Sequence, residues 1–140
     1  TLGAHGVWLD DGDIAILKRR GAGIAHCPSS NMKLASGVAP VLKLLAAGIP
    51  VGLGPDGPAG SNNDFNMFEE MDLAAKLAKV TNGDPRALPA RTAVEMATIG
   101  GARALGMERL RRPDLCPNQR AACRTGVQRL LAARVRVEGE

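Results

Sequence analysis

Asp56 is the residue best placed to do chemistry. It lies in Val51-Gly-Leu-Gly-Pro-Asp-Gly-Pro-Ala-Gly-Ser-Asn-Asn-Asp64, a short apolar run followed by a carboxylate among glycines and amides. Val51 to Leu53 read as a buried strand, and Gly54 and Gly57 let the chain turn sharply after it. A carboxylate just beyond a buried parallel strand stands where such sheets carry their reacting groups. Ionised carboxylates are rarely buried alone, so Asp56 calls for a metal, a cation or several hydrogen-bond donors. A turn or helix-cap aspartate is the other reading of the same pattern. His5 is the second candidate, since it ends the strand expected over Thr1 to His5. Small changes of surroundings move a histidine across neutrality, which suits it to shuttling protons or polarising a reacting group. A structural hydrogen bond is its alternative role.

The elements that must carry these residues alternate. Asp10 to Arg20 predicts a helix capped by Asp10 or Asp11, with Ile14, Leu17 and Ile16 as its inward positions. Gly21 and Gly23 break it, and Ile24-Ala-His-Cys begins the next strand, which Pro28 stops. Pro40 to Ala47 predicts a helix that buries Val41, Leu44 and Leu45 and ends at Gly48. Val51-Gly-Leu is the third strand. Phe65 to Val80 predicts a long helix capped by Asp64, with Phe68, Met71, Leu73 or Ala75, and Leu77 near a 3.6-residue period. Asn82-Gly-Asp-Pro is a turn, and Thr92 to Thr98 and Gly101 to Leu105 predict two short helices. Strand and helix in alternation imply an α/β fold with a parallel sheet or barrel segment. His26, Ser29, Ser30 and Asn31 are expected to line a pocket wall or bond neighbouring loops. Asn62 and Asn63 are expected to brace the Asp56 loop, Glu69 and Glu70 to be solvated, and Cys27 to be strand packing.

Composition bounds the rest. The chain has 140 residues, 45% of them hydrophobic but only 2% aromatic, so its core must be aliphatic. A closed (β/α)8 barrel takes about 250 residues, more than this chain holds. There is no apolar run of membrane-spanning length and no basic-then-apolar leader, so no membrane partner is expected. Three cysteines without metal-ligand spacing fit a reducing, cytoplasmic setting. Residues 1–109 carry 11 basic and 11 acidic residues, whereas 110–140 carry 7 arginines against 3 acids. The whole net charge of +4 therefore lies in the tail. That tail has no aromatic residue to stack on bases and no clear basic face, which argues against nucleic-acid binding.

Three blocks stand in order: Ala25-His-Cys-Pro-Ser-Ser-Asn-Met-Lys-Leu-Ala-Ser-Gly-Val-Ala-Pro40, Leu53-Gly-Pro-Asp-Gly57, and Ser61-Asn-Asn-Asp-Phe-Asn-Met-Phe-Glu-Glu-Met71. Together with Ala4-His-Gly-Val-Trp-Leu9 they resemble the amidohydrolase superfamily over residues 1 to about 108. The nearest branch is similar to the 5-methylthioadenosine/S-adenosylhomocysteine deaminases and their chlorohydrolase relatives. The resemblance implies that Asp56 follows the eighth barrel strand, binds a divalent metal, most simply zinc, and takes a proton from the attacking water. It implies that His5 faces the reacting centre and steadies developing charge, and that His26, on the seventh strand, is not a ligand. The implied reaction on a small-molecule substrate is attack of metal-activated hydroxide at C6 of an adenine ring with loss of ammonia. Hydrolysis of an aminated or chlorinated triazine, or a non-catalytic remnant, are the alternatives. The family usually has threonine before this aspartate, where this chain has Pro55.

The same resemblance marks what this stretch lacks. The family's metal is held by a His-x-His pair, a further histidine and the aspartate, whereas this chain has two histidines and no His-x-His. A catalytic zinc takes about three protein ligands. Residues 1–109 are therefore expected to be a C-terminal fragment, about strands six to eight, of a metal-dependent (β/α)8 TIM barrel, inactive by itself. Past Glu108 the resemblance stops. Read one base forward, the codons for Thr125 to Arg136 can spell Pro-Val-Phe-Ser-Val-Tyr-Ser-Arg-His-Val-Tyr, which resembles the family's continuation. Residues 110–140 are thus expected to be a frameshifted, Arg-rich tail without the family's β-strands, a divergent natural tail being the alternative.

Overall fold

The structure, a computed structural model, describes residues 1–108. The expectations for residues 110–140 lie outside the described residues. In chain order the elements are β1 (Leu2–Ala4), α1 (Asp11–Arg20), β2 (Gly23–His26), α2 (Pro28–Lys33), α3 (Val41–Ala46), β3 (Val51–Leu53), α4 (Met67–Asn82), α5 (Ala90–Glu95), a π-helical turn (Met96–Gly100) and α6 (Gly101–Ala104). The three strands form one parallel sheet in the order β1-β2-β3. Leu2 pairs with Gly23 and Ala4 with Ala25, while Ile24 pairs with Val51 and His26 with Leu53. The alternation expected from the sequence is therefore present, with a helical crossover between each pair of neighbouring strands.

Local chemistry explains where these elements start and stop. Asp10 caps α1 by accepting from the Asp13 N–H at 2.8 Å, and Asp13 returns a bond to the Asp10 N–H at 3.2 Å. Gly21 ends the helix in a left-handed turn at φ 60°. Pro28 does end β2, but it also opens α2, a short helix that the sequence patterns did not reveal. Proline suits a first helical position because its missing N–H has no partner there in any case. Cys27 is accordingly the residue between β2 and α2, and not a strand residue.

Helix α4 departs from expectation in three respects. Its cap is Asn66, whose side chain accepts from the N–H groups of Phe68 and Glu69; Asp64 only braces that cap through the Asn66 N–H. Phe68 points outward, 80% exposed, and Glu70 points inward. The buried stripe is Glu70, Ala74 and Ala78, spaced four apart. Phe68 lies two residues before Glu70, about 200° round the helix, so both cannot face the sheet.

The core is aliphatic, centred on Ile14, Ile24, Val41, Leu44, Val51 and Met96. All three aromatic residues, Trp8, Phe65 and Phe68, are exposed. The two short helices expected near the C-terminal end are one helical run from Ala90 to Ala104, widened at Met96–Gly100. That run lies directly on strand backbone. A Cβ on Gly23 would come within 2.5 Å of the Ala104 Cα, and one on Gly52 within 2.7 Å of the Gly101 Cα. Among the described residues no helix is long and apolar enough to cross a membrane.

Candidate active site at the strand ends

The sheet delivers His5 and Asp56 to one rim. The His5 N–H still bonds the Ala25 carbonyl at 2.8 Å, extending the β1–β2 ladder by one residue. The Gly54 N–H does the same to the His26 carbonyl at 3.0 Å on the other side. Each strand then breaks at a left-handed residue, His5 at φ 63° and Asp56 at φ 65°. Such a conformation is uncommon outside glycine and costs about 1–2 kcal/mol. Among the described non-glycine residues only Ala35 and Leu88 share it. Both chemical candidates thus hold backbone geometry that their surroundings must enforce.

The side chains converge. His5 Nε2 lies 3.6 Å from Asp56 Oδ2. On its other nitrogen, His5 Nδ1 lies 2.9 Å from Asn31 Oδ1, which places the ring proton on Nδ1 for this amide orientation. The Ser30 hydroxyl donates to Asp56 Oδ2 at 2.7 Å, and the Gly57 N–H donates to Oδ1 at 2.8 Å. The Ser30 hydroxyl, then the Gly57 N–H and the Ser61 hydroxyl, hold the Asp56 carboxyl below its ordinary value against a small opposing cost of burial; the nearby His5 lowers it further. Asp56 is therefore a carboxylate at neutral pH, with its side chain about 30% exposed.

Helix α2, unforeseen as an element, is what grips the site. Ser30 and Asn31 are buried and hold Asp56 and His5 respectively. The sequence reading placed both in a wall or loop-bonding role; the structure sharpens that to direct contact with the two candidates. The signal available was the consecutive polar run Ser29-Ser30-Asn31 straight after a buried strand. Asn62 braces the loop as expected, donating from Nδ2 to the Pro55 carbonyl at 2.7 Å. Glu70 overturns its expectation of solvation. It is 1% exposed, and its carboxylate accepts from the Ser29 N–H at 3.2 Å and from Asn62 Nδ2 at 2.9 Å.

His26 and Cys27 stand behind this front. His26 is buried, and its Nδ1 has no partner among the described residues. Burial, and secondarily the charge of His5, push its pKa down to about 4, so it is neutral at pH 7. Burial, followed by the charge of Asp56, pushes the Cys27 thiol up to about 11, which makes it a poor nucleophile. A cavity of about 180 Å³ between α3 and α4 is lined by His26, Val38, Val41, Ala74 and Leu77. Neither His5 nor Asp56 lines it, so it is separate from the strand-end cluster.

Comparison with known proteins decides the family. The profile of the Amidohydrolase family matches residues 1–110. The chain belongs to the amidohydrolase family. It is 55% identical over 134 residues to a 5-methylthioadenosine/S-adenosylhomocysteine deaminase of Desulforudis audaxviator, covering 84% of this chain and 31% of the relative. It is 59% identical over 108 residues to a 5'-deoxyadenosine deaminase of Methanosarcina acetivorans, covering 77% of this chain and 25% of the relative. Among solved structures, an adenosine deaminase from Xanthomonas campestris with bound zinc superposes with a TM-score of 0.72 at 45% identity, covering 76% of this chain and 24% of that one. The atrazine chlorohydrolase of Arthrobacter aurescens, complexed with zinc, superposes at 0.62 with 31% identity, covering 76% and 24%. The amidohydrolase chain described here thus spans between a quarter and a third of the length of these curated relatives.

The donor set at the strand ends fits one ligand of a metal. Each Asp56 oxygen accepts one bond from the protein, from Ser30 or Gly57, while the nearby Ser61 hydroxyl donates to the Gly57 carbonyl at 3.1 Å; a further lone pair is left on each oxygen. Among the described residues no three His, Cys, Asp or Glu side chains converge to complete a site.

Proposed function

We propose that this amidohydrolase segment is the C-terminal part, about strands six to eight, of a metal-dependent (β/α)8 barrel that deaminates an adenine-type nucleoside. The observation that carries the reading is the 3.6 Å approach of His5 to Asp56 at the C-terminal rim of a parallel sheet. Reacting groups of such barrels stand at that rim. A divalent metal, zinc in the solved relatives, would supply an activated water at neutral pH. Asp56 would hold that metal through a free lone pair and take the proton that the water loses. Its hydrogen bonds from Ser30 and Gly57 keep it ionised and oriented for both tasks. His5 would face the developing charge at the ring, its tautomer set by Asn31. Water adds at C6 and ammonia leaves, so the amine is exchanged for an oxygen.

Identity favours this substrate class over the alternative. Relatives named for methylthioadenosine, S-adenosylhomocysteine or deoxyadenosine deamination are 54–62% identical, whereas a triazine hydrolase structure is 34% identical. A cytoplasmic setting accompanies the reading, supported by the free Cys27 thiol. Residues 110–140 would be sequence largely foreign to the family: the profile match ends at residue 110, although the alignment to one deaminase relative covers 84% of this chain and so runs somewhat further. The deciding experiment is ammonia release from methylthioadenosine by the zinc-loaded product of the complete gene. Activity that disappears in Asp56→Asn supports the proposal; turnover of a chlorotriazine alone, or full activity in that variant, overturns it.

A further inference from the structure

We propose that Glu70 is a positioning residue whose buried carboxylate locks α2 and the Asp56 loop into one relative placement. The inference rests on the reading of Asp56 and His5 as the functional pair and adds a residue to it that touches neither. A carboxylate is costly to bury unless its lone pairs are satisfied. Glu70 nevertheless occupies the inward stripe of α4, where every other member is alanine. An alanine or a methionine would fill that stripe without such a cost, so the contacts of the carboxylate must account for it.

Those contacts close a ring. Oε2 accepts from the Ser29 N–H, and Ser29 leads directly into Ser30, which holds Asp56 Oδ2. Oε1 accepts from Asn62 Nδ2, whose second hydrogen goes to the carbonyl of Pro55, the residue before Asp56. Glu70 therefore reaches Asp56 by two routes, through the side chain from α2 and through the backbone from Pro55. Asn31, two residues past Ser29, carries the same placement to His5. The Asn62 amide is fully committed, because its Oδ1 accepts from the Asn63 N–H at 2.6 Å. Turning it over would set oxygen against oxygen at both Pro55 and Glu70. Lys33 adds a second tie from α2, donating to the Asn62 carbonyl at 3.0 Å and to Asn63 Oδ1 at 2.8 Å.

Only a two-oxygen acceptor satisfies this arrangement. Both partners of Glu70 are donors, and glutamine would turn an NH2 toward one of them. The ring also explains how Asp56 is kept at φ 65° although Pro55 before it has no N–H to anchor. Cutting the ring should release Asp56 toward a relaxed backbone while the sheet persists.

The test is amide hydrogen exchange by NMR on the 140-residue chain, with Glu70→Gln and Asn62→Ala. The Gly57 N–H reports the Asp56 carboxylate, the Ser29 N–H reports α2, and the Ile24 N–H, bonded to Pro50, reports the sheet. In Glu70→Gln, Ser29 and Gly57 should exchange about tenfold faster or more, with Ile24 unchanged. In Asn62→Ala, Gly57 should speed up while Ser29 keeps its protection, and the Asp56 HN–Hα coupling should leave its left-handed value in both variants. Unchanged Gly57 exchange in both overturns the proposal. So does equal acceleration of all three amides, or failure of both variants to fold, since either makes Glu70 a general fold determinant. No metal or substrate enters the measurement, so a failed deaminase assay leaves its outcome intact.

Discussion

His5 and Asp56 share more than proximity: with Nε2 and Oδ2 3.6 Å apart, each takes a left-handed backbone just past its strand, His5 directly after β1 and Asp56 two residues after the last ladder bond of β3. An extended residue at either point would send the chain on in a different direction and carry the side chain away from the rim. The strained backbone is thus what turns two sequence-distant residues toward each other, and it makes their immediate supports worth testing one by one.

Ser30 is the first support. The lowered Asp56 carboxyl stabilises the folded chain above its unfolded value near 4, and that contribution fades as pH falls through the folded value. Ser30→Ala removes its largest cause and should cost about 1–3 kcal/mol at pH 7. Urea unfolding should show the deficit narrowing below about pH 4. A deficit independent of pH would mean that the hydroxyl serves packing alone.

His26 should cost the fold stability in the same direction, as pH falls, but in a higher pH window. Its pKa is lowered from 6.5 to about 4, so between those values the unfolded chain binds the proton that the folded chain refuses. Stability is full above pH 6.5 and should decline by about 3 kcal/mol as pH falls toward 4. His26→Gln should flatten that slope in chemical denaturation run across the window. An unchanged slope would assign it to other groups.

The raised Cys27 thiol predicts inertness. At pH 8 its thiolate fraction should be on the order of one in a thousand, given a pKa of about 11. Peptide mapping after iodoacetamide should find Cys27 modified far more slowly than a free cysteine in a short peptide. Asp56→Asn removes the charge that ranks second among the causes and should speed the labelling. Labelling at the peptide's rate would contradict the burial seen here.

The glycines under the last helix should be irreplaceable in a position-dependent way. Gly23→Ala and Gly52→Ala would drive a methyl into backbone atoms 2.5–2.7 Å away. Each should lower stability by about 1–3 kcal/mol or more, as overpacking does. Gly60→Ala meets nothing within 4 Å and should leave the melting temperature nearly unchanged. Thermal unfolding that ranked the three alike would refute the close approach.

The chain by itself should bind no stoichiometric zinc and release no ammonia from adenosine-type substrates. Asp56 supplies one of about three protein ligands that such a site takes. Equilibrium dialysis with zinc is the direct check, and a one-to-one complex with measurable deamination would reverse the expectation.

The alternation of the sheet was legible because period-2 and period-3.6 patterns are local. So were Asp56 and His5, as polar residues ending apolar strands. What stayed hidden depends on tertiary choice. Phe68 and Glu70 compete for one face of α4, and hydropathy alone favours the phenylalanine. The burial of Glu70 becomes intelligible only with Ser29 and Asn62 in place, partners 41 and 8 residues away. Helix α2 escaped notice because Pro28 reads equally as the end of a strand and the first residue of a helix. The two helices expected at Thr92 to Thr98 and Gly101 to Leu105 are one run, in which Gly100 and Gly101 serve close packing against strand backbone.

The wide turn at Met96–Gly100 sets the angular phase of everything after it. An α-helix advances about 100° per residue, so accommodating one additional residue in a turn offsets the following rows by about that amount. The offset is what lets Gly100 and Gly101 lie over Val51 and Gly52, and Ala104 over Gly23. Deleting a single residue between Met96 and Ile99 would let the run wind as an uninterrupted α-helix, regular and well bonded within itself. Its glycines would then face away from the strands, and bulkier neighbours would be turned onto backbone that has room for none. What matters in that short stretch is less which residues it contains than how many.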